Sequence, residues 1–250
     1  MVFSYLQEQR KTGSKTLAVL VDPDDSETAV RNVAEMALMH GVELFLVGGS
    51  IVTRGNTQNC VEQLKNLGAR YVVLFPGNEI QVVNNADAIL FMSLVSGRNP
   101  EFLIGKQVNA AAWVRKAGLE TIPTAYMIVE SGKMTSALYM SQSLPLPSDK
   151  PDIAAATAIA SEMLGMRAFY LDAGSGAENP VKTNMIKKVR NSISGVIFIG
   201  GGIRNAPAAE KAWTAGADVV VIGNGVFEDP GILKEISAVC NKLNTTRQEF

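Results

Sequence analysis

Eight short apolar runs, separated by segments with helical periodicity, constrain the fold of this chain more than any other feature. The runs are "TLAVLVD" (16–22), "ELFLVGG" (43–49), "YVVLFPG" (71–77), "AILFMSL" (88–94), "IPTAYMIV" (122–129), "AFYLDAG" (168–174), "VIFIGGG" (196–202) and "DVVVIGNG" (218–225). Most are apolar on both faces, which is typical of parallel strands covered by helices on both sides. Eight repeats of strand and helix predict one α/β domain over residues 1–250, a (β/α)₈ barrel of the TIM type. A doubly wound open sheet is the alternative.

The first predicted helix lies between the first two runs. Its apolar residues recur with the spacing of one helix face: Val30, Val33, Ala34 and Ala37. Asp25 or Ser26 is available as the N-cap. The single histidine of the chain, His40, falls in the last turn before Gly41. A histidine there is commonly a favourable charge at a helix C-terminus, so we expect no mechanism that uses a histidine base.

Composition and charge exclude several classes of function. Hydrophobic residues make up 47% of the chain and charged residues 19%, so a sizeable core can form. The net charge is -1 and no basic cluster stands out, which argues against a nucleic-acid partner and favours a small molecule. The N-terminal stretch lacks the apolar core of a signal peptide, and no run reaches the roughly 18 apolar residues of a membrane span. Cys60 and Cys240 have no metal-ligand spacing and indicate reduced thiols in a cytoplasmic protein.

Two glycine clusters follow the seventh and eighth runs, at 200–202 and at "GNG" 223–225. In (β/α)₈ barrels the active site lies at the C-terminal ends of the strands, and phosphate commonly binds at these two loops. Glycine lets backbone N–H groups approach an anion with no Cβ in the way. The clusters therefore predict a phosphate site, with simple tight turns as the alternative.

Polar residues also follow the first and second runs. Asp22 ends the first run in "VDPDD", beside Asp24 and Asp25, and Ser50 follows the second. Carboxylate and hydroxyl oxygens are ligands that Mg²⁺ accepts, usually with waters and phosphate oxygens. Acidic side chains can also stabilise the start of the following helix, and this alternative suits Asp25 and Asp24 better than Asp22.

The sixth run predicts a further part of the same site. Tyr170 and Asp172 are two residues apart and share one strand face. Gly174, Ser175 and Gly176 then open a third loop suited to an anion. Together with the loops after the seventh and eighth runs, this loop would complete a phosphate cradle.

In their order along the chain, these motifs resemble the geranylgeranylglyceryl phosphate synthase family. The stretches that carry the resemblance are "VDPD", "FLVGGS", "FPG", "FMSLVSGRNPEFLIGKQ", "AYMIVESG", "YLDAGSGA", "GGGIRN" and "VIGNG". The pattern resembles the longer, second group of the family, which includes bacterial members. The resemblance implies a prenyltransferase that makes the first ether bond of archaeal-type lipids, and a homo-oligomer, either a dimer or a hexamer.

The resemblance also implies substrates, a cofactor and residue roles. The acceptor would be sn-glycerol 1-phosphate, and the donor a prenyl diphosphate, with geranylgeranyl diphosphate expected. The implied acceptor-binding positions are Tyr170, Leu171, Asp172, Ala173, Gly174, Ser175, Gly176, Gly201, Gly202, Gly223 and Asn224. Asp22 and Ser50 would hold Mg²⁺ against the diphosphate, which gives Asp22 a catalytic role. The acidic position of the strand-six motif is often Glu in the family and is credited with orienting or deprotonating the attacking hydroxyl. Here it is Asp172, one methylene shorter.

A prenyl donor requires a long apolar trough, because each buried methylene contributes about 0.8 kcal/mol. Candidate lining residues are Phe91, Met92, Leu94, Tyr126 and Tyr139, although such residues are also ordinary barrel core. Trp113 lies on a helical pattern and could pack in the core or at a subunit contact.

Three other functions remain open from the sequence. A phosphosugar isomerase or synthase would need an acid and a base on opposing strands, where Asp22 and Glu130 are available. A non-catalytic binding protein would keep the phosphate loops without the chemistry. A synthase with a longer donor, such as heptaprenyl diphosphate, would differ in the depth of the trough.

Overall fold

Eight parallel strands close into a barrel in which each strand pairs with its neighbours in sequence and β8 pairs with β1. A computed structural model describes residues 1–229 and 231–248, with only the backbone described for Asn224, Glu228 and residues 246–248. The strands are β1 Thr16–Val21, β2 Leu44–Val47, β3 Tyr71–Leu74, β4 Ala88–Leu94, β5 Glu120–Ile128, β6 Ala168–Asp172, β7 Val196–Gly200 and β8 Val219–Ile222. The predicted (β/α)₈ barrel is confirmed, and the open-sheet alternative is wrong.

Helices separate most of the strands and cover the outside of the barrel. They are α1 Val2–Thr12, α2 Glu27–Met39, α3 Thr57–Asn66, α4 Lys106–Ala117, α5 Ser136–Ser141, α6 Pro151–Met163, α7 Thr183–Arg190, α8 Ala206–Ala215, α9 Asn224–Glu228 and α10 Gly231–Gln248. A 3₁₀ turn at Glu79–Gln81 follows β3, and a π-helical segment at Glu101–Gly105 precedes α4. Within the described residues, no helix is both long enough and apolar enough to cross a membrane.

Helix α2 shows how local sequence sets an element boundary. The Ser26 side chain accepts a hydrogen bond from the backbone N–H of Ala29, so Ser26 rather than Asp25 is the N-cap. The helix ends at Met39, and His40 occupies the C-cap position, as its place before Gly41 predicted. Val30, Val33, Ala34 and Ala37 are all buried against the barrel.

Most of the predicted strand runs extend one to three residues beyond the observed strands at their C-terminal ends. Gly201 and Gly202, for example, follow β7, and residues 173 and 174 follow β6. These residues leave the hydrogen-bonded ladder and form the loops above the barrel. The polar and glycine-rich ends of the runs therefore belong to the candidate site, because that is where the strands stop.

Helix α1 closes the end of the barrel where the strands begin. Its residues Phe3 and Leu6 are buried with the inward-facing side chains of the strands. The carboxylate of Glu120, at the start of β5, accepts hydrogen bonds from the backbone N–H groups of Val2 and Phe3. Burial of two large apolar side chains contributes about 1.5–3 kcal/mol each. Ligand access is thus directed to the opposite end of the barrel.

Candidate functional site

A polar cavity of about 750 Å³ lies at the C-terminal ends of the strands. Loops that follow β1, β2, β6, β7 and β8 line it. Of the residues singled out from the sequence, this cavity brings together Asp22, Ser50, Tyr170, Asp172, Gly174, Ser175, Gly176, Gly201, Gly202 and Gly223. The common position of these residues follows from parallel strands, whose carboxyl ends all face the same way.

Asp172 ends β6 and is buried at the wall of the cavity. One carboxylate oxygen accepts a hydrogen bond from the Tyr126 hydroxyl at 2.6 Å, and the other accepts one from the Gly174 backbone N–H at 2.7 Å. Burial raises the pKa of Asp172, while these two hydrogen bonds act in the opposite direction. A carboxyl with a raised pKa binds a proton more readily, which suits a general base.

Tyr126 was predicted only as a lining residue of the trough, and its contact with Asp172 was missed. It lies on β5, directly across the ladder from Tyr170 on β6. Burial, and the nearby Asp172 carboxylate, raise the pKa of Tyr126 well above its ordinary value, so the phenol stays protonated and donates. The signal that could have found this contact is the register between β5 and β6, which sequence alone does not give.

The loops after β6 and β7 pack directly against each other, and this contact requires glycine. Gly174 has φ +91°, and a Cβ there would lie 2.7 Å from the Thr135 side chain. Gly201 has φ +77°, and a Cβ there would lie 2.5 Å from the backbone nitrogen of Gly174. Side chains at these positions would separate the two loops. The glycines therefore bring two stretches of backbone to the cavity wall.

Leu171 and Ala173 differ from the other residues of the strand-six motif. Both are buried in the cluster between the strands and the surrounding helices, because alternate residues of a strand face opposite sides. Neither is among the described residues that line the polar cavity, and the backbone N–H of Ala173 donates to the Gly200 carbonyl at 3.0 Å. Gly223 lines the cavity just before α9, whereas the prediction for Asn224 concerns a side chain outside the described part of the chain.

Asp22 lies in the loop after β1 and lines the same cavity as the glycine loops of β6 and β7. Its Oδ1 accepts a hydrogen bond from the backbone N–H of Asp24 at 3.0 Å, and it is half-buried. Burial raises the pKa of Asp22, and the Asp24 carboxylate raises it slightly further, while the hydrogen bond lowers it. Gly49 passes close to Asp22, and a Cβ there would lie 3.1 Å from Oδ2.

Asp24 fastens the loop after β2 rather than capping a helix. Its carboxylate accepts hydrogen bonds from the backbone N–H groups of Thr53, Arg54 and Gly55 and from the Thr53 hydroxyl, at 2.6–3.0 Å. The N–H donors of Arg54, Thr53 and Gly55 hold the pKa of Asp24 well below its ordinary range. The suggestion that Asp24 serves the start of α2 is therefore wrong. It connects the β1 loop to the segment that begins with Ser50.

The donor atoms beside this loop fit a hard divalent cation. Asp22 and Ser50 offer a carboxylate and a hydroxyl oxygen to the same cavity. Within residues 1–229 and 231–248, no group of three or more His, Cys, Asp or Glu side chains is arranged to hold a metal ion. A carboxylate and a hydroxyl are oxygen donors of the kind that Mg²⁺ accepts, alongside waters and substrate phosphate oxygens.

An apolar groove opens from the polar cavity at Ser50, Phe75 and Tyr126. The groove encloses about 130 Å³ and contains three of the predicted trough residues, Phe91, Met92 and Leu94, together with Tyr126 at its mouth. Tyr139 was also predicted there, but its side chain is 73% exposed and lies outside the groove, because α5 turns this face to solvent. Sequence reasoning missed Phe75, which follows β3, and Ala110 on α4, because they come from separate elements and share no motif.

Two residues left open by the sequence are also placed. Glu130 accepts hydrogen bonds from the backbone and hydroxyl of Ser148 at the surface and does not line the polar cavity. A phosphosugar isomerase would need an acid or base opposite Asp22, and Glu130 is not placed to supply it. Trp113 lies on α4 with 61% of its surface exposed, so it is not a core residue.

The fold and site together define a class of protein: a (β/α)₈ barrel whose polar cavity, lined by carboxylates, hydroxyls and glycine-rich loops, continues into an apolar groove. Such a site fits a ligand with anionic ends and a long apolar part. The chain belongs to the PcrB family, whose model matches residues 10–241.

Relatives of known name agree over nearly the whole chain. Geranylgeranylglyceryl phosphate synthase of Spirosoma linguale is 45% identical over 240 residues, which cover 96% of each chain. The protein of that name from Korarchaeum cryptofilum is 43% identical over 96% of this chain and 99% of its own. A solved structure of (S)-3-O-geranylgeranylglyceryl phosphate synthase from Thermoplasma acidophilum, in complex with its substrate sn-glycerol-1-phosphate, superposes with a TM-score of 0.87. That chain is 28% identical, and the match covers 96% of this chain and 98% of that one.

Proposed function

We propose that this chain is a prenyltransferase that joins the geranylgeranyl group of geranylgeranyl diphosphate to sn-glycerol 1-phosphate. In the reaction the bond between the first prenyl carbon and the diphosphate oxygen breaks, and an ether bond to the glycerol hydroxyl forms. The products are geranylgeranylglyceryl phosphate and diphosphate. The relatives at 45% and 43% identity carry the name of this activity. The observation that carries the proposal is the polar cavity joined to an apolar groove at Ser50 and Tyr126.

The acceptor binds on the side of the cavity formed by β6, β7 and β8. The backbone around Gly174, Gly201 and Gly223 receives the phosphate, since N–H groups in such loops favour anions. Asp172 accepts the proton of the attacking hydroxyl, and its hydrogen bonds from Tyr126 and Gly174 hold the carboxylate in one orientation. A carboxylate has acceptor capacity beyond these two bonds, so the substrate hydroxyl can bind it as well. The shorter Asp in place of Glu is thus compatible with a base at this position.

The donor diphosphate binds near Asp22 and Ser50, in the loops after β1 and β2. These two residues would hold Mg²⁺, and when bound the ion supplies positive charge that stabilises the departing diphosphate. Asp22 is held by the Asp24 N–H, which leaves its other oxygen directed to the cavity side at Gly49. Chelation by EDTA should abolish turnover, and added Mg²⁺ should restore it.

The prenyl tail lies in the apolar groove, where Phe91, Met92 and Leu94 exclude water from it. The groove begins at Tyr126, next to Asp172, so the reactive end of the prenyl chain and the acceptor hydroxyl meet at that boundary. A longer donor such as heptaprenyl diphosphate is the second candidate. It would need the groove to continue beyond Lys106, whose ammonium pairs with Glu79 at 3.1 Å beside it.

The test of this proposal is a Mg²⁺-dependent assay with sn-glycerol 1-phosphate and prenyl diphosphates of several lengths. We expect the largest kcat/KM with geranylgeranyl diphosphate. A preference for heptaprenyl diphosphate would select the second candidate instead. No product with any donor would contradict prenyl transfer and favour a binding protein without catalysis.

The same proposal includes a homo-oligomeric protein that is located in the cytoplasm. Exposed apolar side chains at Ile104, Val108 and Trp113, beside or on α4, support self-association. The free thiols of Cys60 and Cys240 suit a reducing compartment. Light scattering after size-exclusion chromatography should give a dimer or hexamer, and a monomer at assay concentration would contradict self-association. Cell fractionation tests the compartment.

A further inference from the structure

The charge balance of the polar cavity leaves the acceptor phosphate without an assigned cation. The acidic side chains Asp22, Asp24, Asp172 and Asp229 line the cavity. The backbone loops predicted to hold the phosphate supply only partial positive charges. A phosphate monoester bound there would face several carboxylates, which costs free energy unless a full positive charge lies close by.

Arg204 supplies such a charge. It follows the glycine loop after β7 in "GGGIRN". Among the described residues that line the cavity, Arg204 alone has a cationic side chain. One guanidinium nitrogen donates a hydrogen bond to the carbonyl oxygen of Ala177 at 2.8 Å. This bond holds the guanidinium beside the loop after β6. The remaining guanidinium N–H groups stay available, since a guanidinium has five donors in a planar fork.

Lys133 approaches the same loop at Gly176. Its Nζ lies 3.5 Å from the position that a Cβ of Gly176 would take. The loop that carries Lys133 is fixed to the segment after Gly176, because the Asn179 backbone N–H donates to the Ser131 carbonyl at 3.0 Å. Within residues 1–229 and 231–248, the Lys133 ammonium has no hydrogen bond or ion pair, and its side chain is exposed at the rim.

We propose that Arg204 and Lys133 bind the phosphate of the acceptor from two loops that meet at Gly176 and Ala177. This inference rests on the proposed function, because it assigns the acceptor phosphate to the loops after β6 and β7. Arg204 fixes the phosphate by directed hydrogen bonds. Lys133, on its flexible side chain, adds a positive charge close to the phosphate. The two cations then offset the carboxylates on the Asp22 side of the cavity.

The test measures binding of sn-glycerol 1-phosphate by isothermal titration calorimetry, without the donor. Lys133→Met and Arg204→Gln should each raise the Kd by about tenfold, because a charge-assisted contact to phosphate is lost. Lys133→Arg and Arg204→Lys keep the charge and should recover part of the affinity. The control is Lys211→Met, an exposed lysine on α8 that does not line the cavity, and its Kd should stay unchanged. The KM for the prenyl diphosphate should not change in any of these variants.

Several results would overturn the proposal. One is an unchanged Kd in both Lys133→Met and Arg204→Gln. Another is a loss confined to Arg204→Gln, with a lower unfolding temperature and no recovery in Arg204→Lys, which would reduce Arg204 to a brace for Ala177. Acceptor binding and prenyl transfer are also measured separately on the unaltered protein. If it binds the acceptor through these residues but transfers no prenyl group, the prenyltransferase assignment fails and the phosphate contacts stand.

Discussion

At the scale of single residues, Asp22 is the side chain on which the proposed handling of the donor depends. We predict that Asp22→Asn lowers kcat by at least about a hundredfold, because a charged ligand for the cation beside the diphosphate is lost. Folding should be retained, since burial already disfavours the charged form of Asp22. Steady-state kinetics and the unfolding temperature measure the two effects. A folded variant with near-normal turnover would remove Asp22 from the mechanism.

The hydrogen bond between Tyr126 and Asp172 should affect how activity depends on pH. Burial raises the pKa of Asp172, so activity should fall on acidification at a pH above the ordinary range of an aspartate. The Tyr126 hydroxyl stabilises the charged carboxylate. Its removal in Tyr126→Phe should raise the pKa of Asp172 further and move the acid limb of kcat/KM to higher pH. Tyr139→Phe, at an exposed position on α5, is the control and should leave the profile unchanged. A limb that stays in place in Tyr126→Phe would contradict Asp172 as the base.

Gly202 combines a place in the proposed phosphate cradle with a strained backbone conformation. A valine there would enter the cradle and weaken acceptor binding. Gly202 has φ +71°, and a Cβ would lie 2.8 Å from the backbone nitrogen of Pro180. Gly202→Val should therefore also destabilise the fold, by about 1–3 kcal/mol for the strained backbone conformation. Chemical denaturation checks this, and an unchanged free energy of unfolding would show that the loop adapts.

At the scale of elements, the loop between β2 and α3 depends on a side chain from the loop before α2. Asp24 holds the backbone of Thr53, Arg54 and Gly55, and the same loop begins with Ser50. We predict that Asp24→Ala raises the KM for the prenyl diphosphate and the Mg²⁺ concentration needed for half-maximal activity, because Ser50 is no longer fixed. Its matched control is Asp25→Ala, a neighbouring acid whose carboxylate accepts no hydrogen bond from this loop within the described residues. Equal effects in the two variants would exclude the role given to Asp24.

The elements also show what the sequence could reveal. Strand positions were predictable because each strand of a parallel barrel is a short, doubly buried apolar run. Asp22 and Asp172 were found because they follow such runs at the end where barrel sites form. The contact of Tyr126 with Asp172 joins residues 46 apart and depends on strand register, which sequence does not encode locally. The function of Asp24 was mistaken for the same reason, since its partners lie in a loop about 30 residues further along the chain.

At the scale of the whole molecule, the two ends of the barrel differ in a way that directs ligands. Helix α1 fills one end with Phe3 and Leu6, while the other end opens into the polar cavity. The apolar groove leaves this cavity between the ends of the middle strands and α4. A donor can thus extend from the Asp22 side into the groove while the acceptor occupies the loops after β6, β7 and β8. The arrangement explains why the site residues come from both halves of the chain.

The most direct test of prenyl transfer is a comparison of the two enantiomeric acceptors in separate incubations. Purified protein would be incubated with Mg²⁺, labelled geranylgeranyl diphosphate and either sn-glycerol 1-phosphate or sn-glycerol 3-phosphate, and the labelled ether product would be quantified. We predict product with sn-glycerol 1-phosphate and little with the 3-phosphate. With the phosphate held by the loops and the attacking hydroxyl at Asp172, the two enantiomers place the C2 hydroxyl on opposite sides, and only one placement matches the acceptor site. Equal product from both acceptors would contradict the arrangement of the acceptor site, and no product from either would contradict the prenyltransferase assignment itself.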